Sequence, residues 1–469
     1  MATISEKPGK IEQHTIYAIP VDQRHGTSKD LFTIWFGCNI MMLTIVTGAL
    51  ATTVFKLSFL SSFGALAIGN FIGAVFMALH AAQGPRLGVP QMVQTRGQFG
   101  SIGAILVIAI VVVMYVGFLA SNLVLGGQSL NSVIPGMSQH ALIGVVAVVS
   151  VIATIYGHDL IHAYARVLTW LSGFALLLTF FWLVFVHGLP ANFLVINSYS
   201  AAGFFSMVSI AALWQIAYAP YVSDYSRYMP FETGAKPAFW ASFWGCSLGS
   251  IFPMVLGAMI GLMVTDGDVV GGLTKLTGAA AIPIVIIFSI AIACSNAINL
   301  YCGVLSTITI IQTFATKWKA GPGARVVTAI VLISIATGIA LFAAANFIEN
   351  YTNFILLLLY VLVPWTAVNL VDFYLVRHGD YDVSSFFTLD GGAYGRFNKA
   401  AIFCYLLGIA VQIPFVSNAL YTGPIATMLN GVDLSWVVGI AIVSPLYYFM
   451  ARRSAAVPPV MPASGIAAE

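Results

Sequence analysis

LFTIWFGCNIMMLTIVTGALATTVF, residues 31–55, is the stretch whose reading decides the fold. It carries no Asp, Glu, Lys or Arg and is long enough for a membrane helix, which needs about 20 apolar residues to cross about 30 Å of hydrocarbon. Yet it holds Gly37 and Gly48 around a polar centre of Asn39, Thr44 and Thr47. A helix interrupted at membrane depth frees backbone N–H and C=O groups, which is tolerated only where they line a cavity. A second stretch has the same character. GFFSMVSIAALWQIAYAPYVS, residues 203–223, places Pro220 beside an aromatic, amide-bearing centre of Trp214, Gln215 and Tyr218. If the chain is two repeats of five spans, these stretches occupy matching positions, the pattern of inverted-repeat transporters with broken helices at the midplane. The competing reading is that the glycines serve close helix packing and the proline only kinks.

Outward from these two, the chain divides into twelve apolar stretches: 31–55, 57–80, 100–126, 140–157, 165–186, 203–222, 238–264, 281–312, 326–345, 353–375, 400–417 and 434–450. The segments are continuous rather than ten-residue alternating strands, so an all-α polytopic membrane protein of about twelve transmembrane helices is expected. Of 469 residues, 59% are hydrophobic and only 7% charged, and mean hydropathy is +0.94. Numbering the connections alternately inside and outside puts every one of the 19 Lys and Arg except Lys56 and Lys275 on one side. Basic residues resist translocation, so the protein is expected to be multi-pass in the cytoplasmic membrane with both termini in the cytoplasm. The polar residues 1–29 form a cytoplasmic tail rather than a cleavable signal. A first repeat covers 30–186 and an inverted second repeat 187–378; two accessory helices with their preceding loop cover 379–450, and a tail rich in Pro and Ala covers 451–469. The basic residues form no continuous patch, which excludes nucleic acid as a partner. Cys38, Cys246, Cys294, Cys302 and Cys404 lie in apolar stretches without CxxC spacing and read as small buried hydrophobes.

Four stretches together resemble the nucleobase–cation symporter-1 family, in its purine–cytosine permease-like branch: RHGTSKDLFTIWFGCNIM (24–41), QGPRLGVPQMVQTRGQFGSIG (83–103), YAPYVSDYSRYMP (218–230) and NLVDFYLVRHGDYDVSSFF (369–387). The resemblance implies a leucine-transporter-like fold of ten core helices in a 5+5 inverted repeat plus two accessory helices, working by alternating access. It also implies a planar ring held between aromatics of spans three and six, its polar edge read by amides on spans three and eight. A flat heterocycle stacks on π faces, and its N–H and C=O groups need fixed partners once water is gone. By that likeness, Tyr115, Trp214 and Tyr218 are stacking candidates, and Asn299 and Asn296 in CSNAINLYCG (294–303) are amide readers. Asn39 is either a site residue or a brace for the unwound segment. Where the family has an amide on span three, this chain has Leu119, a departure from a standard purine or cytosine pose, with Asn122 as a substitute.

In sodium-coupled members, carbonyls of span one and adjacent hydroxyl residues of span eight hold the ion. The matching positions are Gly37 and Ile40, with Ala293–Cys294 or Cys294–Ser295. No Ser–Thr pair is present, and a hard cation wants oxygen ligands, so H+ is expected over Na+ as the coupling ion. Asp224 is the nearest titratable candidate; with Arg227 it reads equally as a gate element or a topology-fixing ion pair. Gly37 and Gly48 are expected to permit the break in span one, and Glu349 and Asp372 to mark membrane edges. His158, Asp159 and His162 in YGHDLIHAYARV offer i, i+4 spacing for zinc but no third ligand, so structural or solvated histidines are expected, with no resident metal or cofactor. The reading is a symporter rather than an enzyme or channel. It imports a nucleobase-like heterocycle or, alternatively, a vitamin, hydantoin or allantoin, and it has the lipid bilayer as its other partner.

Overall fold

The computed structural model describes residues 14–452 except 135, 157, 197, 265 and 266, and only the backbone at 153 and 155–165. The side chains of His158, Asp159 and His162, and nearly all of the expected tail 451–469, therefore lie outside the described residues. The helices in order are α1 Ser28–Asn39, α2 Met42–Thr53, α3 Phe59–Ala81, α4 Gln83–Leu87, α5 Gln91–Phe99, α6 Ala104–Val133, α7 Gln139–Tyr156, α8 His158–Phe181, α9 Ala201–Ile216, α10 Ala219–Ser226, α11 Ala235–Met263, α12 Val269–Thr277, α13 Ala281–Phe314, α14 Pro322–Ala343, α15 Phe347–Val371, α16 Lys399–Gln412, α17 Pro424–Met428 and α18 Ser435–Ala451.

All twelve apolar stretches contain a helix. Seven helical runs are long and apolar enough to cross a membrane, and α1 with α2 makes an eighth, bent by 58°. One run, Pro322–Val376, holds 55 residues. At 1.5 Å per residue that is about 80 Å of helix, too much for one crossing, and the run turns at Ala344–Asn346 between α14 and α15. Three shorter apolar helices, Gln139–Ile152, Lys399–Phe415 and Ser435–Ala451, complete the set.

The helices pack by repeat position. The first and second spans of each half, α1/α2 with α3 and α9 with α11, form one bundle. The third and fourth of each half, α6 and α7 with α13 and α14, form a second group. α16 and α18 lie against α15. Glycine zips the first bundle. A Cβ on Gly48 would stand 2.0 Å from the Met254 carbonyl oxygen, and one on Gly257 1.8 Å from that of Ile45. Such backbone approach replaces the hydrophobic drive that lipid cannot supply between helices.

The break in span one lies at Ile40–Met41, where Met41 is extended with φ −147° and ψ 169°. Neither expected glycine makes it. Gly37 sits inside α1 against Thr169 and Gly48 inside α2 against Met254, so both serve packing. The freed Asn39 carbonyl accepts from the Thr44 hydroxyl at 2.5 Å. Span six is interrupted at Ala217–Tyr218, with Pro220 in the first turn of α10.

Candidate functional site

The two interruptions meet at a small cavity of about 20 Å³, lined by Met41, Leu43, Phe118, Asn122, Trp214, Ala217, Tyr218, Tyr221, Ser295, Ile298 and Asn299. That volume admits about one water, so the state is closed around the cavity. Its wall is aromatic and amide-bearing, without formal charge. The Trp214 and Tyr218 rings lie 6.3 Å apart, and Tyr218 and Tyr221 5.5 Å apart.

Of the candidates from sequence, Trp214, Tyr218, Asn299 and Ser295 share the cavity wall. Tyr115 stands behind it, its hydroxyl donating to the Pro220 carbonyl at 3.0 Å and its ring edge-on to Tyr221 at 4.6 Å. Asn39 also stands behind it. Its amide donates to Trp35 O at 2.7 Å, and its oxygen accepts from Trp214 Nε1 at 2.8 Å and Ser250 Oγ at 3.0 Å. Asn39 thus braces the end of α1 to α9 and α11. Asn296 is the partner of Asn122, whose Nδ2 donates to it at 3.0 Å. Leu119 is buried off the wall; the span-three face that reaches the cavity carries Phe118 and Asn122. Phe118 and Tyr221 escaped the sequence reading. Helical spacing is the signal for both, since Phe118 is four residues before Asn122 and Tyr221 three after Tyr218.

The closures on the two sides differ in thickness. On one side lies a vestibule of about 610 Å³, lined by residues including Val46, Leu125, Asp268, Phe347 and Glu349. Glu349 is thus a vestibule residue. Leu43 and Asn122 sit one helical turn below Val46 and Leu125, a depth of about 5 Å. Over this thin floor the Tyr351 hydroxyl meets Thr47 Oγ1 at 2.8 Å. Thr47 spends its own proton on Leu43 O, so Tyr351 donates. Phe354 leans on Phe118 at 5.3 Å.

The other side carries the basic connections and is thick. Asn299 Oδ1 accepts from the Tyr221 hydroxyl at 2.5 Å. Below it Tyr225 packs on Tyr301, to whose hydroxyl Arg227 donates at 3.2 Å. The Asp224 carboxylate accepts from the Gln91 backbone N–H at the start of α5 at 2.8 Å, favourable at a helix N-terminus. From there a buried amide ladder runs through the second motif. Gln91 donates to Gln83 at 3.2 Å, Gln83 to Asn369 at 2.8 Å, Asn369 to Gln98 at 3.3 Å and Gln98 to the Tyr381 hydroxyl at 3.1 Å. It ends on Asp372, fully buried at the end of α15, which accepts from Tyr381 at 2.5 Å, Tyr447 at 2.8 Å and Arg377 at 3.1 Å. Arg96 ties this face to α13, donating to Thr309 O at 2.5 Å, Gln312 at 2.7 Å and Phe386 O at 2.7 Å. Burial draws its guanidinium down to about 10, still protonated near neutral pH. The segment from Thr15 to Gly26 crosses the same face, with Ile19 N–H donating to Gly88 O at 2.9 Å.

Among the described residues no three His, Cys, Asp or Glu side chains are placed to hold a metal. All five cysteines are buried free thiols, and the Asn39 amide reaches both Cys38 and Cys246 sulfurs.

Comparisons with known proteins agree with this architecture. Residues 18–439 match the family model described as permease for cytosine/purines, uracil, thiamine, allantoin. A putative purine–cytosine permease of Bacillus subtilis is 40% identical over 94% of this chain and 96% of its own length. A purine–cytosine permease of Emericella nidulans is 24% identical over 93% and 87%. A nucleobase–cation-symport-1 family transporter, solved in a closed conformation with bromovinylhydantoin bound, superposes with TM-score 0.76 at 17% identity over 95% and 96% of the two chains. This chain, a membrane permease and not an enzyme, belongs to the cytosine/purine, uracil, thiamine and allantoin permease family.

Proposed function

We propose that this permease imports a nucleobase-like ring (a purine, cytosine or a related heterocycle) across the cytoplasmic membrane by alternating access, coupled to protons. The observation that carries the reading is the uncharged cavity at the meeting of the two broken spans, with Trp214, Tyr218 and Phe118 as ring surfaces and Asn299 as a polar reader. Such a wall suits a neutral planar ring. The names of the two permease relatives support the substrate class. The basic face is taken as cytoplasmic because Lys and Arg resist translocation, and the vestibule then opens outward. Tyr115, Asn39 and Asn296 are proposed to shape the site from behind. Proton coupling is supported by sulfur near the expected ion position, a poor setting for a hard cation. Asp224, holding the N-terminus of α5, is the proposed titrating group: protonation removes its charge from that helix end and loosens the closure beneath the cavity.

The test is uptake of radiolabelled hypoxanthine, cytosine, uracil and hydantoin into proteoliposomes under a proton or a sodium gradient. Uptake of at least one nucleobase driven by the proton gradient is expected, and Trp214→Ala and Asn299→Ala should each abolish it. Wild-type uptake by both variants removes the site, and a strict sodium requirement overturns the coupling. Indifference to every nucleobase favours the second reading, a non-nucleobase ring such as a hydantoin or a vitamin. Leu119 motivates that reading, standing where the family places an amide.

A further inference from the structure

We propose that Tyr221 couples occupancy of the cavity to opening of the basic face: its hydroxyl holds Asn299 in the empty protein, and a bound ring takes that amide oxygen from it. The inference rests on the substrate site proposed above and deepens it.

The direction of the Asn299 amide is set from α6. Its Nδ2 donates to the Tyr115 carbonyl at 3.2 Å, which leaves Oδ1 for α10, where it accepts from the Tyr221 hydroxyl at 2.5 Å. Both residues line the cavity, and Tyr221 is buried. Their bond crosses a seam. α10 packs chiefly on α3 in the first bundle and only lightly on α13 in the second group. Parting α10 from α13 opens the basic face, and this bond is the rung nearest the cavity. One turn further along α10, Tyr225 packs on Tyr301 with ring centroids 5.7 Å apart, and beyond it Arg227 donates to the Tyr301 hydroxyl at 3.2 Å.

Among the described residues, no other hydrogen bond joins two side chains of the wall. Trp214 and Tyr218 belong to span six, and Trp214 Nε1 donates to Asn39 within the first bundle. Asn122 and Ser295 lie on α6 and α13, both in the second group. A ring bonded to any of these alone leaves the seam untouched. A ring donor that reaches Asn299 competes with Tyr221 instead. The cavity of about 20 Å³ admits one water, so a ring enters only as wall side chains give way. A ligand shifts a conformational equilibrium only by contacting the two states differently. Here the difference is the Tyr221 bond, which the closed empty state has and the closed occupied state lacks. Such a bond corresponds to roughly fivefold in an equilibrium constant. It weakens ring binding to the closed state by that factor, and its loss eases opening by the same factor.

The test uses the purified full-length protein in lipid nanodiscs, with hypoxanthine, cytosine, uracil and hydantoin as binding probes. Spin labels on Lys236→Cys and Lys317→Cys, exposed positions at the start of α11 and just after α13, report opening of the basic face by pulsed EPR. The five native cysteines are buried. Tyr221→Phe keeps the ring and deletes the donor. It should tighten the best-bound probe roughly fivefold and raise the open-to-closed ratio of the empty protein by the same factor. With saturating probe the ratio should match wild type. Tyr301→Phe deletes a hydroxyl below the cavity, beyond a bound ring. It should raise the ratio equally with and without probe and leave affinity unchanged. Unchanged or weaker binding in Tyr221→Phe overturns the proposal, as does a wild-type ratio in its empty form. If Trp214→Ala and Asn299→Ala bind as wild type, or no probe binds at all, the site reading falls and the proposal with it. If those two variants lose binding while Tyr221→Phe binds as wild type, only the coupling role falls.

Discussion

Replacing Gly48 by Ala separates two physical roles of glycine by the sign of the stability change. If Gly48 existed to loosen span one, Ala would strengthen α2 by about 1 kcal/mol through helix propensity alone. The structure predicts the reverse. The new Cβ would stand 2.0 Å from the Met254 oxygen and 2.3 Å from its Cα, backbone atoms that cannot rotate aside. Ordinary contact begins at 3.4 Å, so α2 and α11 must part by roughly an ångström, a gap that forfeits a quarter to a half of the dispersion energy along the face. Overpacking of this kind costs about 3 kcal/mol, leaving a net loss of about 2 kcal/mol after the propensity gain. Gly338→Ala in α14 is the control, because nothing lies within 4 Å of its added Cβ, and it should gain about 1 kcal/mol. Reversible unfolding in mixed micelles titrated with SDS measures both. A Gly48→Ala protein at least as stable as wild type, or one indistinguishable from Gly338→Ala, refutes the packing argument.

Two other outcomes follow from hydrogen bonding. Asp372→Ala strands Tyr381, Tyr447 and Arg377 in a buried site and should cost about 3–5 kcal/mol. Asp380→Ala removes only an ion pair with Arg86 whose side chains are 54% and 46% exposed, and should cost less than about 1 kcal/mol; equal losses in the same unfolding titration would contradict the assigned burial. Tyr351→Phe deletes the donor to Thr47 across the thin floor of the vestibule, worth about 1 kcal/mol. Exchange of bound radiolabelled nucleobase should then quicken about fivefold, and an unchanged rate would show that this contact does not hold the floor closed.

Much of the molecule was legible in residue order because the bilayer imposes local rules. Apolar run length marks the helices, and the distribution of Lys and Arg sorts their connections onto two faces. The position of the break in span one was legible only to within a turn. Glycine signals both weak helix and close packing, and the neighbour that settles which, Met254 for Gly48 and Thr169 for Gly37, is remote in sequence. Asp372 illustrates the same limit. It sits where a span ends, and nothing local says that Tyr381 and Tyr447 will enclose it. The cavity shows it again: Trp214 and Tyr218 were found by their shared helix face, whereas Phe118 replaced Tyr115 at the wall because the rotation of α6 is set by its packing on α13.

By itself, then, the sequence determined the class, the twelve helical stretches, their division into two faces and the family, since each depends on hydrophobicity, charge or a motif carried by consecutive residues. Which polar atoms face the cavity was decided only by the tertiary structure. An amide's direction depends on what accepts its protons, and for Asn299 on α13 that is the Tyr115 carbonyl on α6, while Tyr221 on α10 meets its oxygen, three helices brought together by packing alone.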